Sequence, residues 1–99
     1  MAKQLKEFKE YFAEKLKDLD YAIAYLNEAL ADEDKRVFLV ALKNVIEANK
    51  ESKSVLAKKT NISKPTVYRI LSTTGNPRWN SITSIVDAMN LQINVSLKK

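Results

Sequence analysis

The chain has 99 residues, enough for one domain, and its 45% hydrophobic and 29% charged content is that of a folded globular protein. It contains no cysteine and no histidine, which excludes disulfides, thiol chemistry, thiolate or imidazole zinc sites and every His-based catalytic arrangement. The net charge of +5 is divided unevenly: residues 1–50 hold nine Lys/Arg against ten Asp/Glu, a balance of −1, and residues 51–99 hold eight against two, a balance of +6.

That asymmetry points to an anionic partner for the C-terminal half, although a solvated lysine-rich face produces the same balance. No apolar run approaches the ~20 residues needed to cross a bilayer. Glu7, Glu10 and Glu14 interrupt the N-terminus where a signal peptide would be apolar, so a cytoplasmic location and no membrane partner are expected. There is no glycine-rich phosphate loop and no evident constellation of inward carboxylates, so no enzyme, metal or cofactor is expected.

A single Gly and two Pro predict long helices with short connections. Residues 3–17 place Leu5, Phe8, Phe12 and Leu16 at three- and four-residue steps, the stripe of an amphipathic helix. Asp18 and Asp20 offer caps for a second helix, residues 21–31, with Ile23, Leu26 and Leu30 on one face. Asp32, Glu33 and Asp34 suit the positive end of a third helix, residues 33–50. The third helix carries Val37, Phe38, Ala41, Leu42, Val45 and Ile46, a wide stripe that predicts a central place in the core.

Residues 53–72 read KSVLAKKTNISKPTVYRILS and carry most of the functional signal. Lys53–Thr60 predicts a short helix, ended by Asn61, a residue that tolerates the left-handed backbone of a sharp stop. Ser63 is a good N-cap, and Pro65 falls in the first turn of the next helix, where its missing N–H is no loss. Val67, Ile70 and Leu71 then repeat on one face. Two short helices joined by a tight turn form a helix-turn-helix, whose second helix is offered to the DNA major groove.

Gly75-Asn76-Pro77 predicts a turn, and residues 79–89 a last helix with Ile82, Ile85, Val86 and Met89 inward and Asn90 as its stop. Trp79, the sole tryptophan, reads as a core plug, with a dimer contact as the alternative. Leu91, Ile93, Val95 and Leu97 alternate with Gln92, Asn94 and Ser96, which predicts a short C-terminal β-strand at 91–97. No other segment alternates, so this strand pairs with another chain or is a tail whose apolar side chains pack on the core.

On the second motif helix the inward positions leave Lys64, Pro65, Tyr68 and Arg69 outward. Lys64 and Arg69 can donate to guanine O6 and N7, and a phosphate contact is an equal reading for Arg69. Ser63 and Thr66 cap first and can also reach a phosphate. Tyr68 either meets a thymine methyl or a phosphate, or is a partly buried core residue. Lys53 and Ser54 are placed for the phosphate backbone, and Asn76 and Arg78 for the adjacent backbone or minor groove. Lys58 and Lys59 contribute mainly to the field.

Residues 53–72 resemble the helix-turn-helix of the Cro and lambda-repressor type: Ala57 stands where that family has a small residue, Val67 and Ile70 where it has aliphatic ones, and Asn61 where it usually has Gly. A wider resemblance spans residues 24–30, the acidic turn, the long helix, Thr66-Val67-Tyr68-Arg69, Gly75-Asn76-Pro77 and residues 91–97. These look like antidote proteins of bacterial addiction modules, the HigA-like antitoxins. Trp79-Asn80-Ser81 departs from the leucine-and-threonine run common there.

The resemblance implies an all-α, five- or six-helix lambda-repressor-like domain. It has an N-terminal helical extension at 3–31, a helix-turn-helix core at 33–90 and the terminal strand. It further implies a homodimer that binds double-stranded operator DNA, represses its own operon and neutralises a small toxin of the RelE-like ribonuclease group. Asp18, Asp20, Glu28, Asp32, Glu33 and Asp34 then face a basic toxin, or serve only as caps and first-turn acids. A phage-type or housekeeping repressor without a toxin partner is the alternative.

Overall fold

The computed structural model describes residues 2–49, 58–59, 62–72 and 76–96. Five helices have both ends among the described residues: α1 (Ala2–Lys15), α2 (Leu19–Ala31), α3 (Arg36–Ala48), α4 (Lys64–Ile70) and α5 (Trp79–Ala88). The fold is all-α among the described residues.

Local capping chemistry sets the boundaries between α1, α2 and α3. Asp18 sits in extended backbone, and its Oδ1 accepts the N–H groups of Asp20 at 2.9 Å and Tyr21 at 3.3 Å, satisfying two otherwise orphaned donors of α2. At the other end Lys35 Nζ donates to the carbonyls of Leu30 and Asp32, each at 2.9 Å, placing a cation on the negative helix end.

The acidic cluster then builds the turn itself. Asp32 Oδ1 accepts the Asp34 N–H at 2.8 Å, and Asp34 Oδ1 accepts the Arg36 N–H at 3.0 Å. These bonds hold the acids ahead of the helix, so α3 begins at Arg36 rather than at Glu33. Arg36 also grips Asp34 with two side-chain hydrogen bonds, Nε at 3.0 Å and Nη2 at 2.8 Å. That hydrogen bonding holds the Asp34 carboxyl below its ordinary range and raises Arg36 above its own.

α3 is the centre of the core, as its wide stripe predicts. Phe38, Leu39, Ala41, Leu42, Val45, Ile46 and Ala48 are all buried, and Leu42 is 0% exposed. Around it pack Leu16, Ala22, Leu26 and Ala29 from the N-terminal side, and Val67, Leu71, Ile85 and Val86 from α4 and α5. Truncating a leucine as enclosed as Leu42 to alanine costs about 2–5 kcal/mol, from lost transfer energy and the cavity left behind. Every buried side-chain polar atom among the described residues has a partner.

The periodicity predicted faces better than it predicted burial. α2 turns Ala22, Leu26 and Ala29 fully inward, leaving Ile23 partly exposed and Leu30 half-buried. In α1 no residue is fully buried; Phe12 and Ala13 are half-buried, while Leu5, Phe8 and Tyr11 stay exposed at 56%, 62% and 62%. Val37, expected in the α3 stripe, is 38% exposed. Trp79 is 63% exposed and so is not the expected core plug: it occupies the first turn of α5, clear of the buried Ile85 and Val86 further along the helix.

The predicted strand at 91–97 is not present among the described residues; residues 91–96 form no ladder, and Leu97 lies outside them. Instead α5 ends in a left-handed stop. Asn90 has φ 62°, its N–H donates to the Asp87 carbonyl at 2.9 Å, and the Leu91 N–H reaches back to Val86 at 3.1 Å. This paired bonding is a Schellman closure, and it throws Leu91 back against the helix it has just left. Leu91 and Ile93 pack half-buried on the core, but Val95 is 98% exposed. Alternation is therefore kept for two side chains only, and no extended segment pairs with this backbone among the described residues.

Candidate nucleic-acid interface

The interface predicted from the motif centres on α4, and a short hydrogen-bonded network starts that helix. Ser63 is the N-cap, in extended backbone at φ −64° and ψ 153°. Its Oγ accepts the Thr66 N–H at 3.4 Å and lies 2.8 Å from the Thr66 hydroxyl. Its carbonyl accepts the Val67 N–H at 3.0 Å. Pro65 sits inside this first turn, where its ring presets the helical φ. Ser63 thus caps the helix as expected, while Thr66 supplies the N–H that it caps.

One face of α4 anchors it. Val67 is 4% exposed and Leu71, just past the helix end, 1%, and Ile70 packs partly buried beside them. Because these residues recur at three- and four-residue steps, Pro65 and Arg69 are carried to the opposite, exposed face. Tyr68 is half-buried between the two faces. Lys64 is the first residue of the helix. A rigid helix backed by core leucine and valine thus presents a guanidinium to solvent at Arg69.

The segment before α5 adds a second exposed cation. Asn76 and Arg78 are exposed and Pro77 is half-buried between them. Arg78 is the N-cap of α5, and its carbonyl accepts the N–H groups of Ser81 at 3.0 Å and Ile82 at 3.2 Å. A guanidinium has no acceptor atom, so the side chain makes no cap bond and remains available to an anion. Further along the helix the Thr83 hydroxyl back-bonds to the carbonyls of Trp79 at 3.0 Å and Asn80 at 3.2 Å.

Lys58 and Lys59 are helical and exposed. Lys53, Ser54 and the predicted turn at Asn61 lie outside the described residues, as does Gly75. The described candidates fall into two groups, Ser63 to Arg69 on α4 and Asn76 with Arg78 ahead of α5, joined through the shared core of Val67, Leu71, Ile85 and Val86. Trp79 stands exposed beside Arg78 and is followed by the polar Asn80 and Ser81. Among the described residues no group of acids could hold a metal ion, and no helix is long and apolar enough to cross a membrane.

Comparison with known proteins places the whole chain, not the α4 region alone. Residues 4–97 match the family described as "probable addiction module antidote protein". A Haemophilus influenzae protein described as uncharacterized is 35% identical over 95 residues, covering 96% of this chain and 94% of that one. No solved structure matches the chain.

Proposed function

The chain belongs to the family of probable addiction module antidote proteins, and on that premise we propose a HigA-like antitoxin that represses its own toxin–antitoxin operon and neutralises a RelE-like ribonuclease toxin. The observation that carries the DNA-binding half is the geometry of α4. Ser63 fixes its start, Val67 and Leu71 lock one face into the core, and Pro65 and Arg69 stand exposed on the other. This is the mounting a recognition helix needs, because base readout requires a helix whose position in the groove is set by the rest of the protein.

In this reading residues 33–90 form a Cro-like DNA-binding core, and residues 3–31 are a helical layer added to it. Lys64 and Arg69 approach guanine edges or phosphate oxygens from the start of α4. Lys53, Ser54, Asn76 and Arg78 flank them on the sugar–phosphate backbone, with Ser63, Pro65, Thr66 and Tyr68 lining the contact. A homodimer places two such helices about 34 Å apart, one turn of DNA, and binds double-stranded operator DNA with the affinity a single copy lacks. Toxin captured by the same chain couples repression to toxin supply.

The test is a mobility-shift titration on the DNA upstream of the gene across a salt series. Counterion release makes log affinity fall linearly with log salt, by about 0.9 for each neutralised phosphate. Arg69→Ala relaxes sequence preference if the guanidinium reads a base, and shallows the salt slope by about one unit if it holds a phosphate. An affinity flat from low to physiological salt, with Arg69→Ala indistinguishable from wild type, sinks the DNA-binding reading.

A further inference from the structure

The exposed surface of the acidic N-terminal half is not featureless. α2 and α3 pack side by side and leave a groove of about 600 Å³ between them. Its floor is apolar, made by Ala29, Val37, Val40 and Ala41, and Tyr25 closes one end. Val37 and Val40 are 38% and 37% exposed, so the floor is open to a partner. The rim is acidic: Glu28, Asp32 and Asp34 stand with Arg36, which is bound to Asp34, and the Lys35 ammonium sits at the Asp32 carbonyl. Three carboxylates against these two cations leave the rim one negative charge in excess.

The apolar surface does not stop at Tyr25. The Tyr25 ring meets Phe12 edge to face at 5.2 Å, and Phe12 stacks on Phe8 at 6.3 Å, with Phe8 itself 62% exposed. One strip therefore runs from Val37 and Val40 over Tyr25 to the outer face of α1, flanked by carboxylates at its α2–α3 end. Apolar anchors at i, i+3, i+4 and i+7 with cations beside them are what such a strip accommodates.

We propose that this groove is the toxin-docking surface and receives a basic amphipathic helix of the toxin. The proposal rests on the antitoxin reading above. The acidic rim selects the occupant, since a toxin that acts on RNA carries a cationic surface to meet the polyanion. A second copy fits less well. Its exposed helix α1 offers Leu5 and Phe8, but four lysines there are interleaved with three glutamates, so the rim gains little from it. The cations of the C-terminal half are committed to DNA in the same reading. Docking here leaves α4 free, so toxin and operator are held by different faces.

The experiment measures the dissociation constant of the full chain for the product of the adjacent reading frame, together with the sedimentation mass of the chain alone. Glu28→Lys combined with Val40→Lys reverses one rim charge and places a cation on the floor. Both sites are exposed at the surface, so circular dichroism remains native. The expected result is binding weakened by about 30-fold, with operator affinity unchanged. Asp87→Lys, a similar charge reversal on α5, leaves toxin binding within about twofold. Unchanged toxin binding by the groove variant overturns the docking site and leaves the antitoxin reading intact. A wild-type chain that fails to bind the neighbouring protein overturns both. A fall in the sedimentation mass of the groove variant assigns the groove to a second copy and overturns the proposal.

Discussion

Phe12 and Tyr25 meet edge to face, with ring centroids 5.2 Å apart and planes at 87°, and this contact fastens α1 to the rest of the protein. Tyr25 continues the connection inward, because its hydroxyl accepts a hydrogen bond from Asn44 Nδ2 of α3 at 3.0 Å. One tyrosine thus ties three helices together. Phe12 also meets Tyr21 at 6.5 Å, so its ring lies among two tyrosines and Phe8.

Phe12→Ala removes the main aromatic attachment of α1. The expected loss is about 2 kcal/mol, combining the burial of a partly enclosed ring with its edge contacts. Urea unfolding of the full chain reads it as a lower midpoint. Phe8→Ala, at an exposed ring, shifts the midpoint by much less. Equal shifts for the two would show that α1 is held by its stripe as a whole rather than through Phe12.

Ser63→Ala deletes the cap of α4 and costs about 1 kcal/mol. Asp is the conservative rescue, since its carboxylate can accept the same N–H. The expected result is lower stability and weaker operator binding for Ser63→Ala, with both largely restored in Ser63→Asp. A Ser63→Ala protein that keeps wild-type stability and DNA affinity shows that Thr66 and the core contacts hold the helix start unaided.

Asn90 occupies the left-handed region at φ 62° to close α5. Asn90→Gly is expected to be neutral or slightly stabilising, and Asn90→Ala to lose about 1 kcal/mol through the β-carbon's clash with the following carbonyl. The tail reports the same change. Leu91 and Ile93 rely on this turn to reach the core, so amide hydrogen exchange at the end of α5 rises in Asn90→Ala. Unaltered exchange would mean the tail is held by its side chains alone.

The Asp34–Arg36 pair predicts a small acid sensitivity. The folded carboxyl lies below its ordinary value, chiefly through the Arg36 hydrogen bonds. Its contribution is thus present above the ordinary carboxylate range and is lost as pH falls through the lowered folded value. Both side chains are largely open to solvent, so screening keeps the effect modest. Comparing urea midpoints between about pH 5 and about pH 2.5, Asp34→Asn should show a shallower acid decline than wild type. An identical decline removes the pair from the acid response.

What the sequence determined by itself was local. Asp18, Ser63 and Asn90 were readable as a cap, a cap and a stop, because each acts on backbone groups within three residues of itself. Leu42, Val45, Ile46, Val67, Leu71, Ile85 and Val86 were readable as core from the 3.6-residue period, as was the gathering of positive charge in the C-terminal half. Arg69 was readable as outward once Val67 and Leu71 were inward.

Tertiary structure decided which apolar faces receive a cover. Periodicity marks a side of a helix as apolar but says nothing of what lies against it, so Phe8, Val37 and Trp79 looked as buried as Phe38 and emerged on the surface. The alternation at 91–97 met the same limit, since a strand exists only when a second backbone lies beside it. The groove between α2 and α3 is likewise absent from either helix alone. It comes from the way Glu28 of α2 and Asp32 of the acidic turn line one groove with Val37 and Val40 of α3, a relation set by packing over that turn.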